Sequence, residues 1–298
     1  MLDQETAERI RALPCWAGDI ELSPLGGGMT NRNVLVTNAR GQRFVVRLGR
    51  DLPEHGVLRF NELAAARAAQ AAGLSPEVVL AQDGLLVSRF IDGRTLAPEA
   101  VREPHNLRRI AALLRRCHHD IPHHLQQGPA LLFWVFHVIR HYLRLLRERA
   151  SNPFDVELDT LAARNEALER ALGPVTIVFG HNDLLAANLI DDGARLWLID
   201  WDYAGFNTPL FDLANLASNN GLSPALEATL LEGYFDGPVG AEVGRGFAAL
   251  KCASLLREAL WGAVSRLTSE IDFDYLGYAR EHALRLERQW EAFQADRR

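Results

Sequence analysis

Lysine is nearly missing from this chain. Among 298 residues only Lys251 carries an ammonium group; every other fixed positive charge is an arginine. A fixed cation in the N-terminal half must therefore be a guanidinium, which stays charged and offers five N–H donors in a rigid fork. Cysteine is scarce too. Cys15, Cys117 and Cys252 are odd in number, far apart and without CxxC spacing. That argues against a disulfide framework or a thiolate zinc site and fits a reducing compartment. No basic block stands out and the net charge is −6, which disfavours nucleic acid as a partner and is compatible with a cationic small molecule. No apolar run reaches membrane-spanning length. The charged opening MLDQETAERIRAL lacks the pattern of a signal peptide. The expectation is a cytoplasmic protein without a membrane or nucleic-acid partner.

What is there is ordinary globular composition, 48% hydrophobic and 23% charged, with length for a real core. Residues 3–13 read as a short helix. Ile20–Leu22, Asn33–Thr37 and Arg43–Leu48 read as strands, with a turn at Asn38–Gly41. An Ala-rich helix is expected from Glu54 to Ala72, closed by Gly73. Strands follow at Val78–Leu80 and Leu85–Val87 around Asp83-Gly84. Beyond the connector Arg89–Arg94 the pattern turns helical, at 104–119, 130–149, 155–171, 209–218, 224–235, 241–268 and 272–294. The fold class is thus α+β: an N-terminal antiparallel sheet with one long helix, residues 1–91, and a mostly helical part, residues 92–298. Two such lobes would enclose a cleft.

One hairpin interrupts the helical half. GHNDLLAANLIDDGARLWLIDWD, residues 180–202, holds two apolar runs around Asp192-Gly193. Singly, its polar residues read as turn and cap formers. Jointly, Asp183, Asn188 five positions on, and Asp200 after the next strand have the spacing of a protein-kinase catalytic site. Magnesium takes hard oxygen ligands and shares its shell with nucleotide phosphates. One amide oxygen and one carboxylate, Asn188 and Asp200, therefore suit it. A carboxylate offset from the metal, Asp183, can orient a hydroxyl and take its proton.

HNDLLAANLI followed by LIDWDYAG resembles the catalytic and metal motifs of the choline/ethanolamine kinase family, within the aminoglycoside phosphotransferase superfamily. The resemblance implies a two-lobed, protein-kinase-like fold and the cofactors ATP and Mg2+. The segment GGGMTN, with Gly27, Gly28, Thr30 and Asn31, resembles the family's phosphate loop; glycines let backbone amides approach phosphate closely. Arg47, on the third strand, stands where kinases keep a lysine, and Glu62 on the following helix is its natural partner. Phe90 and Ile91 fall at the hinge, where adenine takes backbone hydrogen bonds.

The acceptor alcohol is less legible. Asp202 and Tyr203 follow the metal motif. Glu258 and Trp261 share a helix face away from the stripe Leu256, Leu260, Ala263, Val264 and Leu267. A carboxylate with aromatic faces suits an ammonium group. LWGAV…SEIDFDYLGYAR resembles the family's substrate-binding segment, with Trp261 and Tyr278 at cage positions. Val264 replaces the family's second tryptophan and Ser218 a glutamate, so the cage is thinner. Asp212 is expected to tie down the catalytic loop. RRCHHDIPHH, with His118, His119, His123 and His124, reads as a solvated turn rather than a zinc site.

The sequence thus points to an ATP-dependent small-molecule kinase acting on a small, amine-bearing, cationic alcohol, choline or ethanolamine first. Thiamine or an aminoglycoside is the alternative acceptor. A nucleotide-binding pseudokinase scaffold and a histidine-based metal hydrolase are rivals of another class. The oligomeric state stays open, a dimer included.

Overall fold

The computed structural model describes residues 2–26, 31–82, 84–126, 128 and 130–295. The expected phosphate-loop residues Gly27, Gly28 and Thr30 lie outside these. Helix α1 (Gln4–Arg11) is capped by Asp3, whose side chain accepts from the Thr6 amide at 2.8 Å. Five strands follow around one helix: β1 (Ile20–Leu25), β2 (Arg32–Asn38), β3 (Arg43–Leu48), α2 (Arg59–Ala71), β4 (Val78–Gln82) and β5 (Leu85–Arg89). They form one antiparallel sheet in the order β1-β2-β3-β5-β4. Period-two alternation gives the sheet two faces. Val34, Val36, Phe44, Val46, Leu85 and Val87 pack with Ile10 and Leu13 into one core. Val45 and Arg47 alternate with that set and line a cleft on the other face.

The long helix starts five residues later than its composition suggests. Pro53–His55 makes a 3-10 turn, and Gly56 ends it with φ 68°. Leu52 and Val57 then pair as a bridge. The left-handed turn at Gly56 breaks the helical register that residues 54–58 would otherwise continue.

The remaining elements are β6 (Arg94–Thr95), α3 (Pro98–Val101), α4 (Pro104–Asp120), α5 (Val135–Glu148), α6 (Leu158–Arg170), β7 (Val178–Gly180), β8 (Leu189–Asp191), β9 (Leu196–Leu198), β10 (Gly205–Asn207), α7 (Pro209–Asn220), α8 (Pro224–Phe235), α9 (Ala241–Thr268) and α10 (Tyr275–Ala295). The hairpin β8–β9 turns through Asp192, whose Oδ1 accepts from the amides of Ala194 and Arg195 at 2.8 and 2.7 Å. β6 pairs with β8, and β7 with β10. These pieces span two or three residues, too short for an apolar period to show. Residues 131–133 were expected to be helical. They are extended instead, because Phe206 N–H donates to Leu131 and Phe133 N–H to Phe206, at 2.8 and 2.9 Å. Helix α9 is buried nearly all round from Gly246 to Ser265, so the face bearing Glu258 and Trp261 is interior, like the stripe from Leu256 to Val264, whereas Leu267 is exposed. No helix among the described residues is long and apolar enough to cross a membrane.

Candidate active site

The loop after β7 is held from below by one carboxylate. Asp212, at the start of α7, accepts from the backbone amides of His181 and Asn182 at 2.8 and 2.7 Å. It also pairs with His118 Nε2 at 2.9 Å, while His118 Nδ1 meets the Tyr234 hydroxyl at 2.7 Å. Asn182 sits in the left-handed region, φ 65°, a conformation that asparagine tolerates better than most residues. Its amide donates to the carbonyls of Tyr203 and Gly205 at 3.0 and 3.2 Å. The Asp183 amide donates to His181 Nδ1 at 3.3 Å. His181 Nε2 therefore carries the proton and donates to the Ile199 carbonyl at 2.9 Å. Burial lowers its pKa, in keeping with a neutral brace.

These ties bring Asp183, Asn188 and Asp200 together. Asn188 Nδ2 donates to the Asp183 carbonyl at 2.8 Å, which leaves its oxygen Oδ1 for another partner. The Ile199 amide donates to the Asn188 carbonyl at 3.1 Å, placing Asp200 next in line. Asp200 has φ 70°, a costly geometry for a residue other than glycine. The Asp183 side chain is 15% exposed and that of Asp200 26%, against 1–4% for most carboxylates around them. Burial pushes the Asp183 carboxyl up to about 7; Arg257 opposes this, and the charges of Glu258 and Asp200 add to it. Burial acts the same way on Asp200, but the charge and hydrogen bond of Arg47, with His181 and Arg59, together hold that carboxyl below its usual value.

Opposite them lies a knot of charge. Arg47 Nη1 is 2.8 Å from Glu62 Oε1, 2.8 Å from Asp200 Oδ1 and 3.0 Å from Asp202 Oδ1. Arg59 Nη1 reaches Glu62 Oε2 at 2.5 Å and Asp202 Oδ1 at 2.9 Å. Asn31 completes the knot: Nδ2 donates to Asp202 Oδ2 at 2.8 Å, and Oδ1 accepts from Arg59 at 3.0 Å. One expectation changes here. Asp202 was read as an acceptor-pocket residue, but it is 2% exposed and its carboxylate is engaged by Arg47, Arg59 and Asn31. Burial, with Asp200 nearby, pushes it up to about 6. Of the two hydrogens on the Asn31 amide, read as a phosphate donor, one goes to Asp202. Arg59 was missed altogether; its signal was the i,i+3 spacing to Glu62 on α2.

The cleft beside this knot is lined by Val45, Arg47, Phe90, Ile91, Ile199 and Asp200 among others. Arg47, Glu62, Phe90 and Ile91, expected on the nucleotide side, thus border one space with Asp200, expected on the metal side. At the hinge, the Phe90 amide is committed to the Arg43 carbonyl at 3.0 Å.

On the other side of Asp183 the four remaining residues meet. Trp261 Nε1 donates to the Tyr203 hydroxyl at 2.8 Å, and Tyr278 donates to Glu258 Oε2 at 2.8 Å. The Trp261 and Tyr278 rings meet edge to face at 5.4 Å. A residue the sequence reading passed over sits among them. Arg257 is 1% exposed, and its Nη1 bonds Glu258 Oε1 and lies 3.4 Å from Asp183 Oδ1. Its guanidinium stacks 4.3 Å from the Tyr203 ring centre. Nothing in the helical pattern marks an arginine as interior, so only three-dimensional packing reveals it. The histidine-rich segment divides: His118 is buried under Asp212, whereas His119, His123 and His124 are exposed. Among the described residues no cluster of three or more His, Cys, Asp or Glu could hold a metal ion. A magnesium ion at Asn188 and Asp200 would complete its shell with phosphate oxygens and water, as this ion ordinarily does.

Comparison with known proteins agrees with this geometry. Residues 22–223 match the family model for choline/ethanolamine kinase. Protein LicA of Haemophilus influenzae is 32% identical over 212 residues, 70% of this chain and 61% of that protein; the chain thus spans under two thirds of that relative's length. Ethanolamine kinase 2 of Mus musculus is 30% identical over 281 residues, 85% of this chain and 71% of that one. A crystal structure of a choline/ethanolamine kinase family protein from Mesorhizobium loti superposes with a TM-score of 0.77 at 27% identity, covering 96% of this chain and 94% of the other.

Proposed function

The chain belongs to the choline/ethanolamine kinase family, and we propose that it transfers the γ-phosphoryl group of ATP to the hydroxyl of a small amine-bearing alcohol, choline or ethanolamine. The observation that carries this reading is the meeting of Asp183, Asn188 and Asp200 beside the Arg47–Glu62 pair, with Arg47, Glu62 and Asp200 lining one cleft. Phosphoryl transfer needs little covalent chemistry from the protein; positioning and charge stabilisation do most of it.

In this account residues 1–91 carry the nucleotide side and residues 92–298 the catalytic and acceptor side. Arg47, oriented by Glu62, forks onto phosphate oxygens once ATP displaces Asp200 from its guanidinium. The Asn188 amide oxygen and the Asp200 carboxylate are hard donors that fit magnesium, which when bound neutralises charge on the phosphates. Asp183 orients the acceptor hydroxyl and takes its proton late in the transfer. The raised affinity of Asp183 for a proton suits that task. Asp212 and His181 hold the loop so that Asp183 does not need to reorganise.

The test is a panel of acceptors, with ADP release and phosphorylated product both measured. Turnover on choline or ethanolamine supports the reading. Turnover on thiamine or an aminoglycoside, with none on the amino alcohols, would replace it.

A further inference from the structure

Every polar tip among the acceptor-side residues is already engaged. Glu258 gives one oxygen to Arg257 and the other to Tyr278. The Trp261 indole N–H goes to Tyr203. The Trp261 ring is flanked by the edges of Tyr275 and Tyr278, at 5.7 and 5.4 Å. One face of Tyr203, a surface an ammonium group would seek, is covered by the guanidinium of Arg257. Tyr203, Glu258 and Trp261 are 3–7% exposed. The site carries its own cation.

The distance to the chemistry matters. A two-carbon amino alcohol keeps its nitrogen within about 4 Å of its hydroxyl oxygen, as fixed bond lengths require. With that hydroxyl at Asp183, the nitrogen falls close to Arg257, whose Nη1 is 3.4 Å from the same carboxylate. A trimethylammonium group has no N–H donor. It is held through aromatic faces and bulk electrostatics alone, and that face of Tyr203 is occupied. A primary ammonium is smaller and has three donors. Carboxylate oxygens accept more than one hydrogen bond, so Asp183 and Glu258 can receive it without giving up Arg257. The local charge also balances: two carboxylates and one guanidinium leave room for one further positive charge.

Resting on the amino-alcohol kinase reading above, we propose that Arg257, seated on the Tyr203 ring between Asp183 and Glu258, is a specificity-determining residue that selects a primary ammonium alcohol and turns away a quaternary one.

The experiment measures kcat/KM for ethanolamine and for choline on the same preparations of wild type, R257M and R257K. A ratio taken within one preparation does not depend on the fraction of folded enzyme. Wild type should prefer ethanolamine by about tenfold or more, the scale at which pocket shape discriminates small groups. R257M should lower that ratio about tenfold, and R257K, which keeps the charge, should hold it within about threefold. Should R257M fail to fold, R257Q, which keeps hydrogen-bonding groups but not the charge, takes its place with the same expected fall. A wild-type preference for choline, or a ratio unmoved in R257M, overturns the inference while leaving the kinase reading intact. Turnover on neither amino alcohol, with turnover on thiamine, overturns both.

Discussion

Arg47 Nη1 and Asp200 Oδ1 are 2.8 Å apart although 153 positions separate them in the chain. The bond joins the third strand of the sheet to the exit of the β8–β9 hairpin, so it reports directly on the cleft between them. It also ties the cation proposed for the phosphate side to the carboxylate proposed for the metal side.

Replacing Arg47 should therefore act on nucleotide use. For R47M the expected result is a fall in kcat/KM for ATP of about 100-fold or more, the size of effect seen when a charge-stabilising donor is lost. R47K should recover part of it, because an ammonium keeps the charge without the fork. Steady-state kinetics with varied ATP at saturating acceptor checks this. KM for the acceptor should stay within about threefold.

Metal dependence should follow the two oxygen donors. Chelation by EDTA should abolish turnover and added magnesium should restore it. N188A and D200A should each raise the magnesium concentration for half-maximal rate, and D200A more, since it removes a charged ligand. A magnesium titration of the three proteins, read as ADP release, gives the answer. Equal half-maximal concentrations would remove these residues from the metal site.

Asp212 should matter for stability before chemistry. In D212N the new amide can accept at one oxygen only, yet the His181 and Asn182 amides both point at it. An unpaired buried donor costs about 1–3 kcal/mol. The expected outcome is a lower thermal midpoint and a lower kcat, with ATP affinity retained. Differential scanning calorimetry and nucleotide titration separate the two.

His55 gives a pH dependence of stability. It is buried between the Tyr142 hydroxyl and Ser265 Oγ, each 3.1 Å away. Burial, with the charge of Arg257, pushes its pKa down to about 3. The unfolded chain takes up this proton near 6.5 and the folded chain only far lower, so between those values the unfolded state binds more protons. His55 thus favours folding above about pH 6.5 and loses that contribution as the pH falls, at up to about 1.4 kcal/mol per unit. Urea midpoints of wild type and H55Q between pH 7 and pH 4 check it. The difference between the two proteins should narrow or reverse toward acid; a constant difference would mean that His55 does not titrate this way.

What the sequence made legible follows from range. The Asp183, Asn188 and Asp200 spacing is local, and a short hairpin with an Asp-Gly turn brings its ends together by geometry that twenty residues can specify. Arg47 and Glu62 were legible because strand alternation and helix position each aim a side chain the same way. Arg59, Arg257 and the true place of Asp202 were not legible. Each depends on which charge from a distant element fills a buried space, and no local period encodes that. The short strands β7 and β10 escaped for a simpler reason. Three residues carry no period, and their pairing is set by the loop that Asp212 holds.

The central claim is that Asp183 serves phosphoryl transfer to an alcohol. The most direct measurement compares wild type with D183N at saturating ATP, magnesium and ethanolamine, reading ADP and phosphorylated product together. The account predicts matched ADP and product from wild type, and a kcat in D183N lower by about 100-fold or more with ATP affinity unchanged. A D183N enzyme that forms product at the wild-type rate would contradict it.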